Sequence, residues 1–216
     1  MVASGIAPLD EEGFEFEQGL NLLIGPPGSG KTAVALAAAR QAGKVLVVND
    51  GLDAESKLKV YFNGKPPESL TLSTNPADVT RRNFSAYDMV IVDLTSFRSD
   101  GSPARRSELF RQTGHYAINH HCIVIFCIQT NKTPLTEDVA PYETLSHAAR
   151  FAAFTILTLR PKDDLLEIEV TKSRDFKYFR CVIPFSDLIP NFKPIDAPLL
   201  KEENPVDFWD ALEGDD

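Results

Sequence analysis

The chain has 216 residues, 43% apolar and 25% charged, an ordinary balance for one globular domain with a full core. No apolar run reaches the ~18 residues of a membrane span, and the N-terminus carries neither the basic nor the apolar segment of a secretion signal. The formal net charge of −9 counts against a simple DNA-coating protein, but Glu202, Glu203, Asp207, Asp210, Glu213, Asp215 and Asp216 stand against Lys201 alone at the C-terminal end, leaving the body closer to neutral.

In chain order, residues 20–24 form a short apolar strand that runs into a glycine-rich loop. Residues 31–41 are alanine-rich and favour a helix, which Gly43 ends. Residues 45–48 are continuously apolar, as in a buried parallel strand. A short helix over 53–61, a break at Gly64-Lys65-Pro66-Pro67 and a short strand over 70–72 follow. Residues 89–93 form another buried strand, ending in Asp93.

A polar loop over 94–103 precedes a helix over 104–119, and residues 122–128 form a wholly apolar strand. Pro134 and Pro141 make 129–142 a loop, and a short helix covers 143–150. Residues 154–159 and 165–170 read as a strand pair joined by 160–164, and 180–183 as a last strand. The prolines that follow thin out regular structure, so the core is expected over 1–192 and an acidic, largely disordered tail over 193–216. Strand–helix alternation predicts an α/β fold: a mostly parallel central sheet flanked by helices, with a C-terminal antiparallel strand pair.

Cys122 and Cys127 lie in an apolar strand and Cys181 makes the count odd, which suits buried thiols in a reducing compartment. A spacing of five puts Cys122 and Cys127 on opposite strand faces, so they make a poor metal pair despite the nearby His120 and His121.

Gly25-Pro26-Pro27-Gly28-Ser29-Gly30-Lys31-Thr32 fits the phosphate-loop pattern G-x4-G-K-[ST] in full. Its glycines let backbone N–H groups turn in around a phosphate, and the following helix aims its positive end at the same anion. In that reading the loop binds ATP, Lys31 bridges the β- and γ-phosphates, and Thr32 ligates Mg²⁺. A strand ending in a carboxylate is a weak signal alone. Beside the loop, Asp93 reads as the residue that holds a water on Mg²⁺.

The opening Ser4-Gly5-Ile6, Leu9-Asp10 and Gly19-Leu20, together with the phosphate loop, resembles RecA-type ATPases, the group of RecA recombinases, DnaB-type helicases and KaiC-like proteins. The resemblance covers most of the chain. It implies that Gln129, closing the strand after Asp93, senses the γ-phosphate, and that residues 130–142 form a loop that touches single-stranded DNA. It also implies that Lys172 and Arg174 reach across a subunit boundary to a neighbour's γ-phosphate, where a cation offsets charge developing during phosphoryl transfer. Taken alone, Lys172-Ser173-Arg174 would more commonly mean a solvated basic hairpin.

Two features depart from the family. Its catalytic Glu after the second core strand is replaced by Asn49-Asp50-Gly51, with Asp50 the nearest candidate to polarise water. The chain is also expected to lack the additional N-terminal domain of larger members, a compact form that resembles the RecA-core proteins of bacteriophages acting in recombination or single-strand annealing. The resemblance thus implies a cytoplasmic ATPase (in the host cytoplasm, if phage-encoded) that assembles as a ring or filament with ATP at subunit interfaces. A DnaB-like helicase or translocase, and a nucleotide-switched replication accessory with slow hydrolysis, are the alternative functions. A small-molecule kinase fits Gln129 and the 172–174 hairpin poorly.

For the DNA track, Arg98, Arg105, Arg106 and Lys132 supply positive charge in or beside the two loops expected on the binding side, although arginines on such a helix also suit a solvated face. The acidic tail with Phe208 and Trp209 fits docking on a partner protein, occupation of the chain's own DNA site, or simple solubilisation.

Overall fold

The computed structural model describes residues 1–81, 84–94, 103–130, 145, 147–174 and 177–189; for 80, 81, 103–106 and 148 it describes the backbone alone. A two-stranded ribbon pairs β1 (Val2–Ala3) with β2 (Glu15–Phe16) around α1 (Ala7–Glu11). The Asp10 carboxylate accepts hydrogen bonds from the Ser4 amide at 2.8 Å, the Ser4 hydroxyl at 2.7 Å and the Gly5 amide at 3.1 Å. This gives the Ser-Gly and Leu-Asp opening a structural meaning: one carboxylate ties the entry segment into a turn.

The main sheet contains β3 (Gly19–Gly25), β4 (Val45–Val48), β5 (Leu70–Ser73), β6 (Met89–Val92), β7 (Ile123–Gln129), β8 (Thr155–Lys162), β9 (Leu165–Lys172) and β10 (Phe179–Pro184). Their spatial order is β10-β9-β8-β3-β7-β6-β4-β5. The six strands from β8 to β5 run parallel, and β9 and β10 add antiparallel at one edge. The expected strand pair is β8–β9, with β10 extending it.

Alternation along each strand divides the core into two layers. On one face Leu23, Val47, Ile91, Ile125, Leu157 and Ile168 pack against α2 (Lys31–Ala39). The small side chains Ala33, Ala35, Ala37, Ala38 and Ala39 are all buried there, which lets the helix backbone lie close to the sheet. On the other face Leu22, Ile24, Val48, Val92 and Val124 meet Leu109 and Phe110 of α5 (Pro103–Asn119) and Ala149 of α6 (His147–Ala152). The remaining helices are short: α3 (Ala54–Tyr61), α4 (Asp78–Arg81) and α7 (Phe185–Leu188).

Cys122 belongs to the second layer and Cys127 to the first, opposite faces as their spacing requires. Of the helix expected over 143–150, residues 143, 144 and 146 lie outside the described residues, and α6 runs over His147–Ala152. Residues 131–144 and the tail from 190 onward lie outside the described residues, as does the role proposed for the tail. Among the described residues no helix is long and apolar enough to cross a membrane.

Candidate nucleotide-binding site

The phosphate loop joins the end of β3 to the start of α2 in the middle of the parallel sheet. Gly30 caps α2 in a left-handed conformation at φ 77°, with no side chain closing the first-turn amides. Amides so placed at the positive end of a helix suit an anion. A Cβ on Gly30 would lie 2.9 Å from the Phe185 ring, and a Cβ on Gly25 would lie 2.6 Å from the Leu159 carbonyl oxygen. The loop is therefore walled by β8 on one side and by α7 on the other.

The Lys31 ammonium folds back over this loop. It donates to the carbonyl oxygens of Gly25 at 3.0 Å and Pro26 at 2.8 Å, and to the Ser29 hydroxyl at 3.3 Å. Lys31 is only 8% exposed, so these oxygens offset the cost of removing its charge from water. A phosphate would be a stronger partner for the same cation.

Asp93 follows β6 and faces the loop. Its Oδ2 accepts from the Thr32 hydroxyl at 2.5 Å and from the Asn49 amide nitrogen at 3.2 Å. Burial pushes the Asp93 carboxyl above the usual range; Thr32, Lys31 and Lys57 oppose that rise, and the Asp50 charge adds to it. A hydroxyl and a carboxylate oxygen in contact fit Mg²⁺, which takes few protein ligands and keeps its waters and substrate phosphates. Among the described residues no cluster of three or more His, Cys, Asp or Glu forms a separate metal site. Burial raises the Cys127 thiol well above its ordinary value, so beside this site it remains an unionised packing residue.

Asp50 lies in the turn after β4, half-buried, and its charge is felt at Asp93. Gln129 ends β7 in direct register with Gly25, and the next residue's amide, on Thr130, donates to the Gly25 carbonyl at 3.0 Å. Lys31, Thr32, Asp50, Asp93 and Gln129 thus gather at one end of the sheet.

Lys172 and Arg174 lie at the other end. Lys172 pairs with Ile156 at the start of β8, and Arg174 stacks on Phe154, whose amide donates to the Leu20 carbonyl. From Leu20 to Gly25 the strand advances by about 16 Å at ~3.3 Å per residue. Within one chain the two cations are therefore remote from the phosphate loop.

Lys172 donates to the Arg150 carbonyl and, at 2.6 Å, to the Ala153 carbonyl, holding the C-terminal end of α6. Burial, and then the Arg174 charge, push its pKa below the ordinary value. Arg98 and Lys132 lie outside the described residues, and the side chains of Arg105 and Arg106 are likewise outside them, on the first turn of α5. Asn49, Phe154 and Phe185 carry no motif, and sequence reading assigns them no role.

The family model "ATPase family associated with various cellular activities (AAA)" matches residues 21–126. No curated protein matches the chain in sequence. Among solved structures, the chain is similar to the RadB recombinase, with 21% identity and a TM-score of 0.62 over 87% of this chain and 97% of that one. It is also similar to a DnaB-like replicative helicase, solved in a study of its interactions with primase, with 17% identity and a TM-score of 0.59 over 85% of this chain. The chain spans 59% of that helicase. The central phosphate loop, the Asp93 strand separated from β3 by β7, and these likenesses together give the chain the fold of a RecA-type P-loop ATPase core.

Proposed function

We propose that this chain is an ATP-dependent ATPase of the compact phage kind that binds single-stranded DNA in recombination or strand annealing. The observation that supports this most is the separation of two half-sites: Lys31, Thr32, Asp93 and Gln129 at one end of the sheet, Lys172 and Arg174 at the other. Neither end alone holds a full set of groups for phosphoryl transfer. Head-to-tail stacking of identical chains would bring one chain's hairpin to the next chain's loop.

In this reading Lys31 exchanges its loop carbonyls for the β- and γ-phosphates, and the amides opening α2 hold the β-phosphate. Thr32 and Asp93 would hold Mg²⁺, which would supply charge neutralisation at the phosphates. Asp50 orients the attacking water. Gln129, one residue before the loop region expected to meet DNA, links γ-phosphate contact to that loop. Arg174 of a neighbour completes the site and Lys172 supports it; Arg98, Arg105, Arg106 and Lys132 supply the charge of the DNA track.

The nucleotide-switched accessory is a second reading, favoured by the turn at 49–51. It offers the shorter Asp50 in place of a glutamate and ends in Gly51. Hydrolysis measured with and without single-stranded DNA, alongside particle size, separates the two. Stimulation by DNA in ATP-dependent assemblies is the expected result. Slow turnover that DNA leaves unchanged would favour the switch.

A further inference from the structure

Asn49 closes β4 and is 4% exposed. Its backbone amide donates to the Ser73 carbonyl at 2.9 Å, anchoring it to the neighbouring strand end. The side-chain Oδ1 accepts from the Gly51 amide at 2.8 Å, and the side-chain nitrogen donates to Asp93 Oδ2 at 3.2 Å. The amide's orientation follows from its partners, because only its oxygen can accept from Gly51 and only its nitrogen can donate to a carboxylate. A carboxylate in this place could hold Gly51 but would confront Asp93. A leucine would do neither.

One planar group therefore touches both acidic elements of the site. It restrains the Asp93 carboxylate at Oδ2, the same oxygen that accepts from the Thr32 hydroxyl, and it closes the turn that carries Asp50. Groups that orient a metal's carboxylate commonly alter metal affinity by about 10–100-fold when removed. We infer that Asn49 is a positioning residue that fixes Asp93 for the Mg²⁺–nucleotide and sets the turn bearing Asp50. This rests on the proposed Mg-nucleotide site and adds to it a residue outside the phosphate-loop motifs.

The test is equilibrium binding of a fluorescent ATP analogue to the full chain, titrated with Mg²⁺, for wild type, Asn49→Ala and Asn49→Asp, with thermal melting to verify folding. Asn49→Ala should leave binding without Mg²⁺ within about twofold of wild type while raising the half-saturating Mg²⁺ about tenfold or more. Asn49→Asp keeps the Gly51 acceptor and adds negative charge beside Asp93. It should shift half-saturation the other way, to lower Mg²⁺, while turnover falls.

Opposite shifts from two folded variants would support the positioning role, since a merely structural asparagine would move both alike. If only one variant folds, its own shift decides. An unchanged Mg²⁺ dependence, or a loss equal with and without Mg²⁺, would overturn the inference. Wild type that binds no analogue at all would instead remove the nucleotide-site reading on which it stands.

Discussion

The Arg174 guanidinium carbon lies 3.6 Å from the centre of the Phe154 ring. Such a contact is worth about 0.5–1 kcal/mol at an exposed site, less than a charge-assisted bond to phosphate. Arg174 itself is exposed, so a neighbour's triphosphate could draw it off the ring at small cost. In the isolated chain the Phe154 ring holds the cation at the far end of the sheet from the phosphate loop.

Replacing Phe154 by Leu should therefore cost the chain about 1 kcal/mol, from the lost cation–π contact, and leave hydrolysis in place. Arg174→Ala should reduce hydrolysis by about 10³-fold or more, the scale of an arginine finger, with nucleotide binding retained. Steady-state ATPase rates and fluorescent-nucleotide titrations check both. Equal losses from the two variants would assign Arg174 a packing role instead.

Lys172 differs from its neighbour because its ammonium already holds the end of α6 through Arg150 and Ala153. Lys172→Met should lower stability by about 1.5–3 kcal/mol, the range for hydrogen bonds to a charged group. Urea unfolding of the chain without nucleotide checks this. The loss should appear there, where no neighbour's phosphate is present, and this separates the helix clasp from any use across an interface.

Gly30→Ala combines a left-handed backbone at φ 77° with a Cβ placed 2.9 Å from the buried Phe185 ring. The backbone alone costs roughly 1–2 kcal/mol, and overpacking adds about 1–3 kcal/mol. The variant should melt lower and bind nucleotide more weakly than wild type, read by thermal denaturation and nucleotide titration. Phe185→Leu in the same chain should recover part of the steric share but none of the backbone share.

Acid should weaken the outer edge of the sheet. Glu167 binds Arg160 at 2.8 Å and also pairs with Arg180. Burial alone would raise its carboxyl; the hydrogen bonds and charges of Arg180 and Arg160 outweigh it, and the net shift is downward. A carboxyl lowered by folding contributes stability that is present above the unfolded value of about 4.3 and is lost as pH falls through the lower folded value. Glu167→Gln should therefore flatten the stability–pH curve in the acid range, measured by urea unfolding from neutral pH downward.

The parallel strands were legible because burial on both faces makes runs such as 45–48 and 123–128 continuously apolar. The phosphate loop was legible because its backbone geometry demands particular residues at fixed spacing. The β1–β2 ribbon was not, since two-residue strands carry no period. Nothing in the sequence marks Asn49 beyond its place before Asp50, because its link to Asp93 joins residues 44 positions apart. The clasp of Lys172 on Ala153 is hidden in the same way by a separation of 19 positions.

The most direct measurement mixes two inactive chains, Lys31→Ala and Arg174→Ala, with ATP and single-stranded DNA. Each lacks a different half of the shared site, so mixed assemblies should regain a fraction of wild-type hydrolysis that peaks near equal proportions. Hydrolysis that stays absent at every ratio, in assemblies shown to contain both chains, would contradict a site built from the loop of one chain and the hairpin of the next.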